Sequence, residues 1–132
     1  MLVNDSHPEA RELLRQYVVP VILGNGIAAH WLALRLFLKY RVPSLVCGQR
    51  RSVTDLANPF CDFFRLYRQK DGRLAAEQLA DLADAYGDCL FVLIPLSEAD
   101  QVMLRRYGSF LESRYLICSP KRLFEQPPFA GL

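Results

Sequence analysis

The run Val18-Val19-Pro20-Val21-Ile22-Leu23 breaks abruptly into Gly24-Asn25-Gly26-Ile27-Ala28-Ala29, and this junction limits the architecture more tightly than any other stretch of the chain. A continuous apolar run bounded by glycine reads as a strand buried on both faces, the habit of parallel sheets. The G-x-G-x-x-A turn opens directly onto an apolar helical stretch. Gly24 permits the tight turn, Gly26 lets a ligand approach bare backbone, and Ala29 lets the helix pack close to the strand. The helix presents free N–H groups and the positive end of its dipole to whatever lies above the turn. Many doubly wound folds keep such a turn for packing alone, so a phosphate-facing role and a purely structural one are both open at this point.

The chain of 132 residues suits a single domain over 1–132, divided into a leading helix (1–17), an α/β core (18–119) and a tail (120–132). That is small for a complete two-substrate enzyme of the doubly wound kind. Charged residues make up 23% and the formal net charge is +2, a balance that suggests neither an acidic disordered tail nor a nucleic-acid binder. Cys47, Cys61, Cys89 and Cys118 form no C-x-x-C pair, and only two histidines accompany them, so no metal site is expected. Small buried thiols in a reducing compartment are the simpler expectation. The N-terminus lacks a basic segment followed by an apolar one, and the longest apolar stretch, Ile27 to Leu38, contains His30 and Arg35 and is too short to span a bilayer. The expected location is cytoplasmic, with no membrane partner.

Ser6-His7-Pro8-Glu9 matches a capping box with proline in the first turn, and Ala10, Leu13, Leu14 and Tyr17 recur at helical spacing, which predicts a short leading helix. After the first strand, Ile27, Trp31, Leu34 and Leu38 form one stripe, while Leu32, Leu36 and Phe37 carry apolarity further around the helix. Ser44 to Gly48 reads as a second parallel strand. Residues 49–59 are polar and irregular, and Phe60 to Tyr67 is aromatic and strand-like, a candidate edge strand. Leu74, Ala75, Leu79, Leu82, Ala83 and Tyr86 trace an amphipathic helix closed by Gly87. Leu90 to Pro95 is a further buried strand, Ser97-Glu98-Ala99-Asp100 caps the next helix, and Tyr115 to Cys118 supplies a fifth strand. Pro120, Pro127 and Pro128 then punctuate a tail with little capacity for core. Right-handed crossovers arrange this series as a three-layer, Rossmann-like α/β fold: a mainly parallel five-stranded sheet of order 3-2-1-4-5 with helices on both faces. Ligands in such sheets bind beyond the strands' carboxyl ends, which places Gly24, Asn25 and Gly26 beside Ser97 and Glu98.

A nicotinamide dinucleotide site normally has an acidic residue after the second strand, whereas here that strand ends in Cys47-Gly48-Gln49-Arg50-Arg51. Arg50 and Arg51 either receive a 2′-phosphate or are ordinary surface cations. Alternation of outward arginine with inward aromatics accounts for Phe63-Phe64-Arg65-Leu66-Tyr67-Arg68 without nucleic acid. His30 faces either a bound anion or a local partner. Ser97 and Glu98 either contact a ligand or simply cap their helix.

Val21-Ile22-Leu23-Gly24-Asn25-Gly26, Asn58-Pro59-Phe60-Cys61-Asp62, Val92-Leu93-Ile94-Pro95-Leu96-Ser97-Glu98 and Leu111-Glu112-Ser113-Arg114-Tyr115 together resemble the N-terminal, pre-ATP-grasp domain of ATP-grasp carboxylate–amine ligases. The similarity runs from about Val18 to Pro120. It implies a domain that supplies part of the acceptor-substrate site and packs against a larger ATP-grasp region. That region would bind ATP and magnesium and activate a carboxylate as an acyl phosphate. By position, Gly24, Asn25 and Gly26 would border the substrate pocket, with Ser97 and Glu98 at the neighbouring strand end. The lysine-bearing lobes and metal-binding carboxylates of the family have no counterpart in this sequence, so the expectation is a stand-alone or truncated domain with no cofactor of its own and no ligation in isolation. A separate ATP-grasp polypeptide, or a homodimer through the apolar helix 27–40, is the expected partner. A small nucleotide-binding module and a protein-interaction module are the alternatives.

Overall fold

The computed structural model describes residues 17–67 and 72–125. In chain order the elements are β1 (Val18–Leu23), α1 (Ile27–Tyr40), β2 (Ser44–Gly48), α2 (Val53–Ala57), β3 (Cys61–Arg65), α3 (Arg73–Ala85), β4 (Leu90–Pro95), α4 (Glu98–Leu111), β5 (Tyr115–Ile117) and α5 (Pro120–Glu125). The strands form one five-stranded sheet in the order β3-β2-β1-β4-β5, and every pairing is parallel. The expected Rossmann-like fold and strand order both hold.

The sheet sorts its side chains by the two-residue period of a strand. Val19, Val21 and Leu23 of β1, Leu45 and Cys47 of β2, Phe64 of β3, and Phe91 and Leu93 of β4 pack against α3 and α4. Ile22, Val46, Phe63, Val92 and Ile94 point the other way, onto α1 and α5. α1 turns its Ala29, Leu32, Ala33 and Leu36 face to the sheet, and the Ile27-Trp31-Leu38 side faces out. Two alanines in the contact let the helix axis lie close to β1 and β2, which the bulkier stripe would prevent. On the other layer the Tyr115 hydroxyl donates to the Leu79 carbonyl at 2.6 Å, tying edge strand β5 to α3.

Two sequence expectations are corrected. Residues 53–57, inside the stretch read as irregular, form α2, started by a capping box between Ser52 and Asp55. Residues 120–125, read as the start of a tail, form α5, and Leu123 is fully buried in the core. Pro120 stands at the first helical position, where its missing N–H costs nothing, and Ser119 Oγ accepts from Arg122 N at 3.3 Å. The Tyr40 hydroxyl fastens α5 to the end of α1 by donating to the Leu123 carbonyl at 3.3 Å. The leading helix expected before residue 17, and Arg68, lie outside the described residues. Among the described residues no helix is long and apolar enough to cross a membrane.

Gly72 opens α3 in the left-handed region (φ 77), and a Cβ there would stand 2.5 Å from Met103 Cγ. Gly72→Ala is expected to lower stability by about 2 kcal/mol in denaturant titration, through backbone strain and crowding. Among the described residues, Ser44 Oγ is the buried side-chain oxygen that finds no hydrogen-bond partner. Ser44→Ala is expected to raise stability by about 1 kcal/mol in the same titration, and a loss of that size would show that the hydroxyl has a partner after all.

Candidate functional site

The sheet's order reverses where β1 lies between β2 and β4, and there the loops after β1 and β4 diverge to leave a crevice of about 380 Å³. One wall is Gly24, Asn25, Gly26, Ala28 and Ala29, and the other is Leu96, Ser97 and Asp100. Gly24 takes φ 141, a conformation that essentially only glycine adopts. Gly26 is the N-cap of α1, extended, with no side chain capping the helix and no acidic residue in the first turn. A Cβ added to Gly26 would meet nothing within 4 Å. Across the crevice the N-terminus of α4 is closed from within: Ser97 Oγ accepts from Asp100 N at 3.1 Å and donates to Asp100 Oδ2 at 2.8 Å. Asp100 is only 3% exposed, so it brings a buried carboxylate to that wall.

The Asn25 amide, in the crevice wall, is hydrogen-bonded within the chain. Its Nδ2 donates to the Arg50 carbonyl and to Asp55 Oδ2, both at 2.8 Å. Its carboxamide lies over Gly48, where any Cβ would collide with it. The glycine turn is therefore sewn to the loop after β2, and Gly48 is the gap the stitch passes through.

Asp55 collects the other threads. His30 Nε2 donates to Asp55 Oδ1 at 2.7 Å, and Ser52 N donates to Asp55 Oδ2 at 2.7 Å. Burial pushes this carboxyl up, but the Ser52 N–H, the Asn25 amide, His30 and the Ser52 hydroxyl outweigh it and hold the group below its ordinary value of 3.8. The imidazole's tautomer follows from its neighbours. Phe60 N donates to Asn58 Oδ1 at 2.9 Å, which fixes that amide so that Asn58 Nδ2 donates to His30 Nδ1 at 2.8 Å. Nδ1 is thus the acceptor, and in the neutral ring the proton is on Nε2. His30 has a local partner, one of the two roles open from sequence.

Cys61 Sγ lies 3.6 Å from His30 Nδ1, which completes a thiol–imidazole–carboxylate series. The series lacks a nucleophile. Burial first, then the charges of Asp55 and Asp62, push the thiol up to about 12, and Cys61 is 6% exposed. It acts as a small buried residue at the start of β3. All four cysteines are free, and among the described residues no cluster of three or more potential ligands could hold a metal.

The structure thus brings Gly24, Asn25, Gly26 and Ser97 to one crevice, while Glu98 is an exposed first-turn residue of α4 outside its walls. Arg50 contributes its carbonyl to Asn25. Arg51 lines a separate recess with Asp55, Cys61 and Asp62, its guanidinium 5.8 Å from the centre of the Phe63 ring. Sequence reasoning missed Asp55 altogether, used Asn58 only within a motif of the family resemblance, and assigned Asp100 only to capping. The Ser52-x-x-Asp55 spacing, the same as Ser97-x-x-Asp100, was the available signal for Asp55. No protein-family model, curated protein or solved structure matches this chain.

Asp55→Asn is expected to cost about 2 kcal/mol near neutral pH, because the new amide faces donors already aimed at a carboxylate. A carboxyl held below 3.8 when folded contributes its full stability above that value and loses it as pH falls through the folded value. The gap between the wild-type chain and Asp55→Asn should therefore close in acid unfolding curves below pH 3.8. A gap that stays constant through that range would contradict the charged role of Asp55.

Proposed function

We propose that this chain is a substrate-side α/β module of the carboxylate–amine ligase type, holding a small polar or anionic ligand in the crevice at the carboxyl ends of β1 and β4. The observation that carries this is the pairing of Gly24-Asn25-Gly26 with Leu96-Ser97-Asp100 across one crevice at the sheet's order reversal. The first turn of α1 lies in that wall without a capping side chain, and the space beside Gly26 is open. Backbone N–H groups there suit a carboxylate or phosphate oxygen. Ser97 and Asp100, hydrogen-bonded to each other, form the polar part of the opposite wall. These groups bind and orient. Phosphoryl transfer calls for positioned cations and a metal, and ATP and magnesium would belong to an ATP-grasp region acting with this domain. A dinucleotide phosphate is less well served, since Arg50 and Arg51 lie outside the crevice walls.

Gly26→Ser tests the proposal, because serine is a good N-cap and its side chain has room. Isothermal titration with ATP, NADP, NAD and a series of amino and dicarboxylic acids is expected to reveal one class that binds. Gly26→Ser should cut that affinity at least tenfold while the melting temperature holds or rises. Absence of binding by every member, or equal binding by Gly26→Ser, would overturn the proposal.

A further inference from the structure

We infer that the turn Asn58-Pro59-Phe60 is a proton-operated latch: uptake of a proton by His30 opens it at the start of β3 and leaves the glycine turn tied. The two ring nitrogens face opposite kinds of partner. Nε2–H donates to Asp55 Oδ1 at 2.7 Å, an acceptor that serves the ring in either protonation state. Nδ1 accepts from Asn58 Nδ2 at 2.8 Å, and that amide is held in this sense because its Oδ1 accepts from Phe60 N at 2.9 Å. A protonated imidazole carries a donor on both nitrogens. Its new Nδ1–H meets the Asn58 Nδ2–H head on, and the conflict is relieved when the carboxamide turns over and Oδ1 accepts from the ring. The Phe60 N–H then loses its acceptor.

The surroundings admit this exchange. Burial of the ring resists its charged form, and the Asp55 carboxylate bonded to Nε2 favours it. Asp55 is held below 3.8, so it stays a carboxylate as the pH falls toward that value. From β3, the Cys61 thiol stands 3.6 Å from Nδ1. Pushed up to about 12, it remains a neutral and weak acceptor that does not replace Asn58. Arg51 and Asp62 line the recess shared by Asp55 and Cys61, and the sheet turns the apolar Ile22 and Val46 toward α1. The turn itself reaches solvent: Pro59 is exposed and Asn58 and Phe60 are half-buried, so water can accept the freed Phe60 N–H. Ser44 N donates to the Phe60 carbonyl at 3.2 Å and the Phe37 ring centre lies 4.6 Å from that of Phe60, contacts that confine the opening to residues 58–60. At the other end, Asp55 keeps its bonds from Asn25 and Ser52 N in both states. None of this involves the ligand proposed for the β1–β4 crevice.

The test is an NMR titration of the full chain carrying His7→Gln, which leaves His30 as its single histidine, from about pH 8 to about pH 4.5. The Phe60 amide and the Asn58 side-chain amide are expected to change with the same midpoint as the His30 ring. Exchange protection of the Phe60 N–H, corrected for the intrinsic effect of pH, should fall at least tenfold across that midpoint, while the Asn25 side-chain amide keeps its protection. Asn58→Asp supplies one oxygen to Phe60 N–H and another to Nδ1–H, so it removes the conflict. In that variant the ring should take its proton at least tenfold more readily and the Phe60 amide should stop following it. Four results would overturn the inference: a ring that stays neutral throughout, a Phe60 amide indifferent to the ring, an Asn25 amide released along with Phe60, or an Asn58→Asp chain that titrates like its parent.

Discussion

The Asp55 carboxylate holds the candidate site together. It is buried, and it binds groups from three places: the Ser52 N–H that starts α2, the Asn25 amide of the glycine turn and the His30 imidazole in the second turn of α1. A buried charge is costly unless its lone pairs are used, and here the donors come from the glycine turn, the start of α2 and the packed helix α1. The geometry of the turn after β1 therefore depends on a residue of the β2–β3 connection. His30 extends the tie to Asn58 and Cys61 at the start of β3, so one polar cluster fastens the glycine turn, α1 and the edge strand.

This arrangement separates two roles that a glycine turn can have. Asn25 and Gly48 serve the fastening, one supplying the amide and the other the gap it lies across. Gly24 and Gly26 are left to shape the crevice, with the open first turn of α1 on one wall and the self-capped turn of α4 on the other. The wall that would face the proposed ligand is thus mostly backbone, held by a cluster behind it that such a ligand need not touch. Preorganisation of this kind would let the domain bind the proposed ligand without the cost of ordering its loops at the moment of binding.

The sheet is legible in the sequence because its signals are redundant. Val18–Leu23 and Leu90–Pro95 are long apolar runs bounded by turn residues, and a parallel sheet with right-handed crossovers leaves few orders for them. The glycine turn and Ser97 are legible as neighbours for the same reason. Elements that rest on one short signal are not. α2 spans only Val53–Ala57, too short for an apolar period, so the Ser52-x-x-Asp55 box was its whole signature. α5 was hidden because Pro120 reads as a breaker until one knows that a helix begins on it. The Asp55 cluster joins residues up to 31 positions apart, Cys61 and His30 among them, and no local spacing encodes such contacts. The outward turn of Trp31 had a similar cause: two apolar stripes compete on α1, and only the closeness of β1 and β2 selects the one with alanines.

The most direct measurement of whether this cluster is built as described is the tautomer of His30, read by long-range ¹H–¹⁵N correlation of the imidazole at a pH where the ring is neutral. His7, the other histidine, is removed as His7→Gln for assignment. With Asn58 fixed by the Phe60 N–H and donating to Nδ1, the proton belongs on Nε2 and is given to Asp55. The expected result is a single Nε2–H tautomer whose signal changes on Asn25→Ala, because both residues share the same carboxylate. A ring carrying its proton on Nδ1, or averaging between both nitrogens, would contradict the fastening of the glycine turn through Asp55.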